Sequence, residues 1–199
     1  MSATTGKRQR TKLANREAIL RAAVDVFGQI GYGAATVRDI VRRTDLATGT
    51  FYNYFPDKES VLRALVDELA RDARVRVHEA RMAATDSIEG FVSAGFRAYF
   101  EWLAEDRRRV ALVRRNAGTL RTMFDQPTIG AGTYELEADL RAAVASGALP
   151  PHDAEFMAAA MVGAALEVGT RLVERDPPDV EAAVAFVTDV FLGAFDRLR

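Results

Sequence analysis

The sequence contains no cysteine, which excludes disulfides, thiolate zinc centres and cysteine nucleophiles together. Histidine is almost as scarce. His78 and His152 lie far apart, with no acidic or histidine partner at ligand spacing, so a metal centre would have to be built from carboxylates. There is no Walker loop, no GxGxxG and no Ser-His-Asp set in a supporting context, and Gly130-Ala131-Gly132 is too short to read as a phosphate cradle. These absences speak against an enzyme, and no cofactor is expected. The opening MSATTGKRQR lacks the apolar core of a signal peptide, and the longest apolar run, residues 156–166, is shorter than the roughly 20 residues a membrane span needs. The expectation is a soluble, cytoplasmic chain with no membrane partner. Strand-like alternation is also missing from residues 83–199, which predicts an all-α fold.

The 199 residues suffice for one large or two small domains with a real core. The formal net charge of −1 is unevenly spread. Residues 1–60 carry ten Lys/Arg against six Asp/Glu, and the remainder 17 against 22. A basic N-terminal third on an acidic body suits a phosphate-binding head.

Residues 36–58, TVRDIVRRTDLATGTFYNYFPDK, organise that head. Thr36 reads as a helix N-cap, with Asp39 three residues on as in a capping box. Val37, Ile40 and Val41 form one apolar stripe. Thr44-Asp45-Leu46 is a turn, and a second helix follows from Thr48 through Phe55, stopped by Pro56-Asp57. Two short helices joined by a tight turn form a helix-turn-helix, in which the second helix enters the major groove. Thr48, Thr50, Tyr52, Asn53 and Tyr54 offer polar groups suited to phosphates and base edges, and Gly49 permits close backbone approach. Phe51 and Phe55, four apart, should face the core. The competing reading is a helix wholly buried in the core, but three aromatics and an Asn in sequence cannot all point inward.

The run GTFYNYFPDKESVL resembles the hallmark of the TetR family of bacterial transcriptional regulators. The resemblance extends from about Arg10 to Leu65, including Ile19, Ala22, Ala23 and Phe27 before Gly31, and continues beyond only as a helix pattern. It implies a homodimer, a double-stranded DNA operator with two half-sites, and a small-molecule effector in the C-terminal domain. It further implies that Tyr52 and Lys58 touch the DNA backbone. The expected DNA-binding set is therefore Thr36, Arg38, Thr48, Gly49, Thr50, Tyr52, Asn53, Tyr54 and Lys58. Two departures from the family stand out: Asp45 where a turn Gly is usual, and Ala47 where Ser often caps the recognition helix.

The expected organisation is a basic flexible arm over residues 1–12, a three-helix head with the helix-turn-helix over 13–57, and a helical ligand-binding and dimerisation domain over 58–199. A long helix from Asp57 or Lys58 to about Met82 joins head to body. Either Asp86 or Ser87 caps the next helix. A short helix over 107–116 precedes an irregular stretch over 118–133, a helix over 134–146, and two long helices over 153–175 and 179–198. An apolar ligand wall is expected from Phe96, Tyr99, Phe100, Leu103, Met123 and Phe124, with Tyr134, Met157 and Met161. Polar contacts are expected from Asn116, Glu167 and Thr170. Ordinary core packing is the competing reading for each aromatic, and an i,i+4 bridge to Arg171 is that for Glu167. The last two helices, rich in small and apolar residues, are expected to form the dimer. The leading function is a ligand-released repressor. The alternatives are a DNA-binding structural protein without a ligand, and an enzyme carrying a basic head.

Overall fold

The computed structural model describes residues 2–84, 87–123 and 127–198, the side chains of 2–6 and 127–129 apart. Those residues form nine α-helices and no strand: α1 (Ser2–Ile30), α2 (Val37–Val41), α3 (Thr48–Tyr52), α4 (Lys58–Ala83), α5 (Ile88–Glu105), α6 (Arg107–Arg121), α7 (Pro127–Ala145), α8 (Ala154–Glu174) and α9 (Val180–Arg197).

Local chemistry sets most of the boundaries. Thr36 and Asp39 close the capping box that starts α2: Asp39 N–H donates to Thr36 Oγ1 (3.3 Å) and Thr36 N–H to Asp39 Oδ2 (3.0 Å). Hydrogen bonds from the Thr36 side chain and backbone hold the Asp39 carboxyl below its ordinary range. Asp57, Ser87, Asp153 and Asp179 cap α4, α5, α8 and α9, each side chain accepting from the backbone N–H three residues on. Two helices are followed by glycines in the left-handed region, α1 by Gly31 (φ +81°) and α7 by Gly147 (φ +77°).

Four expectations are corrected. Residues 2–12 continue α1 instead of forming a flexible arm. They hold no proline, and residues 7–10, Lys-Arg-Gln-Arg, are good helix formers, although the residues from 7 to 14 remain exposed. The stretch 118–133 is helical at both ends. α6 runs through Gly118 to Arg121, and α7 starts at Pro127, a residue suited to the first helical position. The helix predicted to end at Asn116 instead kinks there (φ −125°, ψ 15°) and goes on. Finally, α3 ends at Tyr52, not Phe55, and Ala47 precedes it with no side-chain cap.

Two main cores result. The head core joins Ile19, Phe27, Ile40, Phe51 and Val61, each fully buried, with Leu65 of α4 and Leu112 of α6. It therefore extends past residue 57 into helices of the body. The body core is built on α5, where Phe96 stacks on Phe100 (6.0 Å) and Phe191 (5.6 Å). A third, small cluster gathers Ala73, Trp102, Leu103 and Val173. Gly169 lets α8 close on α5, since a Cβ there would lie 3.1 Å from both Tyr99 and Leu103.

Helix α8 as a whole, with 21 residues, is apolar and long enough to cross a membrane by length and composition, which the shorter run 156–166 did not suggest. Here it packs on α7, α5 and α9 and contributes Ala158, Met161, Leu172 and Val173 to buried clusters. Its outer face, Phe156, Ala159, Ala160 and Gly163, is exposed.

Candidate functional site

The head presents one polar face. Phe51 and Phe55 turn into the core as their spacing predicts, at 0% and 5% exposure. That orientation leaves Thr48, Gly49, Tyr52 and Asn53 outward, with Thr36 and Arg38 of the preceding helix also exposed. The Tyr52 ring stands edge-on to Phe51 at 5.4 Å, which braces an otherwise exposed side chain. Thr50 and Tyr54 are half-buried, and the Tyr54 hydroxyl accepts from Asn15 of α1 at 3.2 Å. No acidic residue lies on α3. Arg42 is exposed, while Arg43 donates to Gln29 at 2.5 Å.

Lys58 has a different position from the one the resemblance implies. Its ammonium donates to the carbonyls of Tyr32 (2.9 Å), Ala35 (2.8 Å) and Gly33 (3.4 Å), and sits 4.6 Å from the Tyr32 ring centroid. An ammonium has three donors, and all are directed at this loop. Lys58 therefore braces the loop before α2, rather than standing free for a phosphate.

The body holds a cavity of about 220 Å³ among α4, α5, α6, α7 and α8. Its wall includes Phe96, Tyr99, Leu103 and Met161, four of the expected ligand residues. The others lie elsewhere. Phe100 is wholly buried behind the wall. Met123 belongs to the head core, and Met157 packs in the body core. Tyr134 is 67% exposed, because α7 turns it outward. Glu167 is outside too, paired with Arg121 (2.8 Å) and Arg171 (3.7 Å). The Thr170 hydroxyl donates to the Leu166 carbonyl at 2.8 Å. Phe124 lies outside the described residues. Burial raises the Tyr99 pKa to about 12, yet the ring keeps some accessible surface because it borders the cavity.

Three arginines in the wall were missed: Arg74, Arg81 and Arg109. Arg74 pairs with Glu135 at 2.7 Å. Arg109 lies over the Trp102 ring at 4.1 Å and donates to the Trp102 carbonyl, while the indole N–H donates to Asp72 at 2.6 Å. The signal for Arg74 and Arg81 was present in the sequence. They are seven apart on α4, hence on one face with Val66, Leu69, Ala73 and Val77.

Asn116, expected in the pocket, instead joins body to head. It is 4% exposed. Its Nδ2 donates to the Phe27 (2.9 Å) and Leu112 (2.8 Å) carbonyls, and its Oδ1 accepts from Tyr32 N–H (2.7 Å). Arg115 adds a bond to the Gln29 carbonyl at 2.7 Å. The Arg115 bond serves a carbonyl in the last turn of α1, and Asn116 adds a second donor to the Phe27 carbonyl, which Gly31 N–H also reaches at 3.1 Å. Gly28 lets the two helices meet, since a Cβ there would lie 3.3 Å from Ala111 Cβ and Leu112 N. Four wall residues, Val66, Leu69, Ala70 and Leu120, also pack in or against the head core.

Comparison with known proteins agrees with this division. The family described as "Bacterial regulatory proteins, tetR family" matches residues 19–65. The HTH-type transcriptional regulator RutR of Escherichia coli (strain K12) is 38% identical over 68 residues, which span 32% of this chain and 32% of RutR. Among solved structures, the fatty acid degradation regulator FadR from Bacillus halodurans aligns with a TM-score of 0.77 at 25% identity, covering 88% of this chain and 93% of that one. The transcriptional regulator FadR from Bacillus subtilis, solved in complex with stearoyl-CoA, aligns with a TM-score of 0.73 at 23% identity, covering 87% and 96%. Residues 19–65 thus carry the helix-turn-helix head of the TetR family of bacterial transcriptional regulators, and the described helical body shares the fold of the solved regulators.

Proposed function

We propose that this regulator is a homodimeric repressor that leaves its operator when a slender, largely apolar molecule enters the body cavity. The observation that carries the reading is the shared wall. Val66, Leu69, Ala70 and Leu120 face the cavity and also pack on the head, so a ligand that repositions them acts on the head directly. A DNA-binding structural protein without a ligand would have no need of this cavity. The acyl chain in the Bacillus subtilis regulator of similar fold is an example of the ligand shape that suits such a wall.

The DNA surface is assigned to Thr36, Arg38, Thr48, Gly49, Thr50, Tyr52, Asn53 and Tyr54, with Lys58 as a brace. Asn53, the C-cap of α3, is the one residue from Thr48 to Tyr54 of a type that makes bidentate base contacts. Affinity should therefore rest on phosphates and fall with log salt by about 0.9 per phosphate neutralised. Dimerisation is assigned to the outer faces of α8 and α9, where Phe156 (73%), Phe186 (61%) and Val190 (50%) are exposed. An apolar surface of this kind on two adjacent helices suits a four-helix bundle with a second copy. The chain would act in the cytoplasm, where its DNA is.

The test is selection of bound duplexes from a random library, followed by titration of apolar compounds against the selected operator. Two half-sites spaced about 34 Å apart, and release by at least one compound that also binds the isolated protein, are expected. A selected site without two-fold symmetry would remove the dimer reading. Ligand binding with no change in operator affinity would remove the release mechanism.

A further inference from the structure

The most deeply buried charge in the cavity wall is Arg81, 5% exposed. Its stem occupies the space left by Gly95, where a Cβ would lie 3.2 Å from Arg81 Cγ and Cδ. Its guanidinium lies 5.5 Å from the centroid of the Phe91 ring, another part of the wall. The nearest carboxylate, Asp139 Oδ2, is 3.6 Å away, beyond hydrogen-bond reach. Arg81 Nε and Asp139 Oδ2 are both buried without a hydrogen-bond partner among the described residues.

This pattern is costly as structure. A guanidinium stays charged when buried, and an unfilled buried donor is destabilising. Burial pulls the Arg81 pKa down, while Asp139 and Glu135 pull it back up. The other wall arginines are better occupied. Arg74 holds Glu135, and Arg109 holds the Trp102 carbonyl and indole face, although its Nε is also unpaired. Asp139, with a side chain 28% exposed, has access to solvent if Arg81 changes partner. Arg81 also stands at an end. α4 lines the cavity from Val66 to Arg81, about 22 Å at the helical rise of 1.5 Å per residue.

We propose that the cavity takes an apolar chain ending in a free carboxylate, and that Arg81 binds this carboxylate through Nε and a terminal nitrogen, in place of its loose contact with Asp139. The inference rests on the effector reading above and narrows it, from an apolar chain to a carboxylic acid as opposed to the alcohol or thioester of the same chain. A bidentate guanidinium–carboxylate pair supplies both the missing acceptor and the compensating charge.

The experiment is calorimetry of the full chain with dodecanoate, 1-dodecanol and dodecanoyl-CoA, below their aggregation limits. Fluorescence of the single tryptophan, Trp102, in the cavity wall, is followed in parallel. Dodecanoate is expected to bind one per chain and at least about 10-fold more tightly than either competitor. Arg81→Gln should weaken dodecanoate by roughly 10- to 150-fold and leave 1-dodecanol within about 3-fold. Asp139→Asn removes the competing carboxylate and should tighten dodecanoate. If 1-dodecanol or dodecanoyl-CoA binds the parent as tightly as dodecanoate, the carboxylate assignment falls and the apolar effector stands. If none of the three binds, both fall. Should circular dichroism show Arg81→Gln unfolded, Asp139→Asn decides, and dodecanoate affinity that is unchanged or weaker overturns the proposal.

Discussion

Replacing Asn116 with Ala should separate effector binding from operator release, at a measurable cost in stability. The side chain is buried and makes three hydrogen bonds, two as donor and one as acceptor. Phe27 O keeps a partner in the variant, because Gly31 N–H also donates to it at 3.1 Å. Tyr32 N–H loses Asn116 Oδ1, the acceptor at 2.7 Å. An unsatisfied buried donor costs about 1–3 kcal/mol, and each lost neutral hydrogen bond about 1. Partial relaxation of the kink at Asn116 offsets some of this, so a total near 3 kcal/mol is expected. For a chain of this length, that lowers Tm by about 6–12 °C. The mutation leaves the cavity wall untouched, so effector affinity by calorimetry should change by less than about 3-fold. Operator affinity without effector should also hold, because the DNA-facing residues remain. What should shrink is the ratio of operator affinities with and without effector, by a factor of about 10, equivalent to 1.4 kcal/mol of coupling. A variant that loses less than about 1 kcal/mol of stability would refute the assignment of a buried junction. Full effector response in a stably folded Asn116→Ala would refute the junction's part in coupling.

Tyr52→Phe should weaken binding to all DNA sequences by a similar factor, about 10- to 150-fold for one lost bond to a charged phosphate. A changed sequence preference at unchanged affinity would make Tyr52 a base reader instead. Phe186→Glu should give a helical monomer by light scattering that loses most operator binding, since Phe186 is 61% exposed and its removal spares the core. A folded variant that stays dimeric places the interface elsewhere. Because burial raises the Tyr99 pKa from 10.0 to about 12, the unfolded chain loses this proton first. Stability credited to Tyr99 is thus complete below pH 10 and lost as pH rises toward 12, on the order of 3 kcal/mol. Tyr99→Phe should lack that part of the alkaline loss, and identical pH profiles for the two proteins would contradict it.

The head was legible because its signals are local. The Thr36–Asp39 box, the Phe51/Phe55 spacing and the stop at Gly31 each depend on residues within a turn of one another. The body was less so. Spacing correctly gave the inward face of α5, and with it Phe96, Tyr99 and Leu103. It could not say which of two neighbouring inward residues meets empty space: Phe100 is fully buried in core while Tyr99 borders the cavity. Helix α9, apolar around much of its circumference, shows the same limit. Val187 and Phe195 lie on an apolar face of α9 that packs on its own body, at 1% and 2% exposure, whereas Phe186 and Val190 form the outward face. Polar residues were the hardest, because their partners are far away in sequence. Asn116 reads as a pocket polar group until α1 and the loop after it, 84 to 89 positions earlier, supply partners.

Asn116 and Lys58 converge on the same short segment. The loop joining α1 to α2 has its Tyr32 N–H held by α6 through Asn116, and its Tyr32 and Ala35 carbonyls held by α4 through Lys58. α6 and α4 are also cavity walls. Thr36, which caps α2, follows Ala35 directly. A relative movement of α4 and α6 must therefore either break one of these bonds or carry the loop, and α2 with it. Breaking the charged one costs about 1.5–3 kcal/mol, more than the 1.4 kcal/mol that a tenfold change in affinity requires. Carrying the loop is the lower-energy response, so helix movement at the cavity would be expressed as reorientation of the DNA-facing helices rather than absorbed within the body.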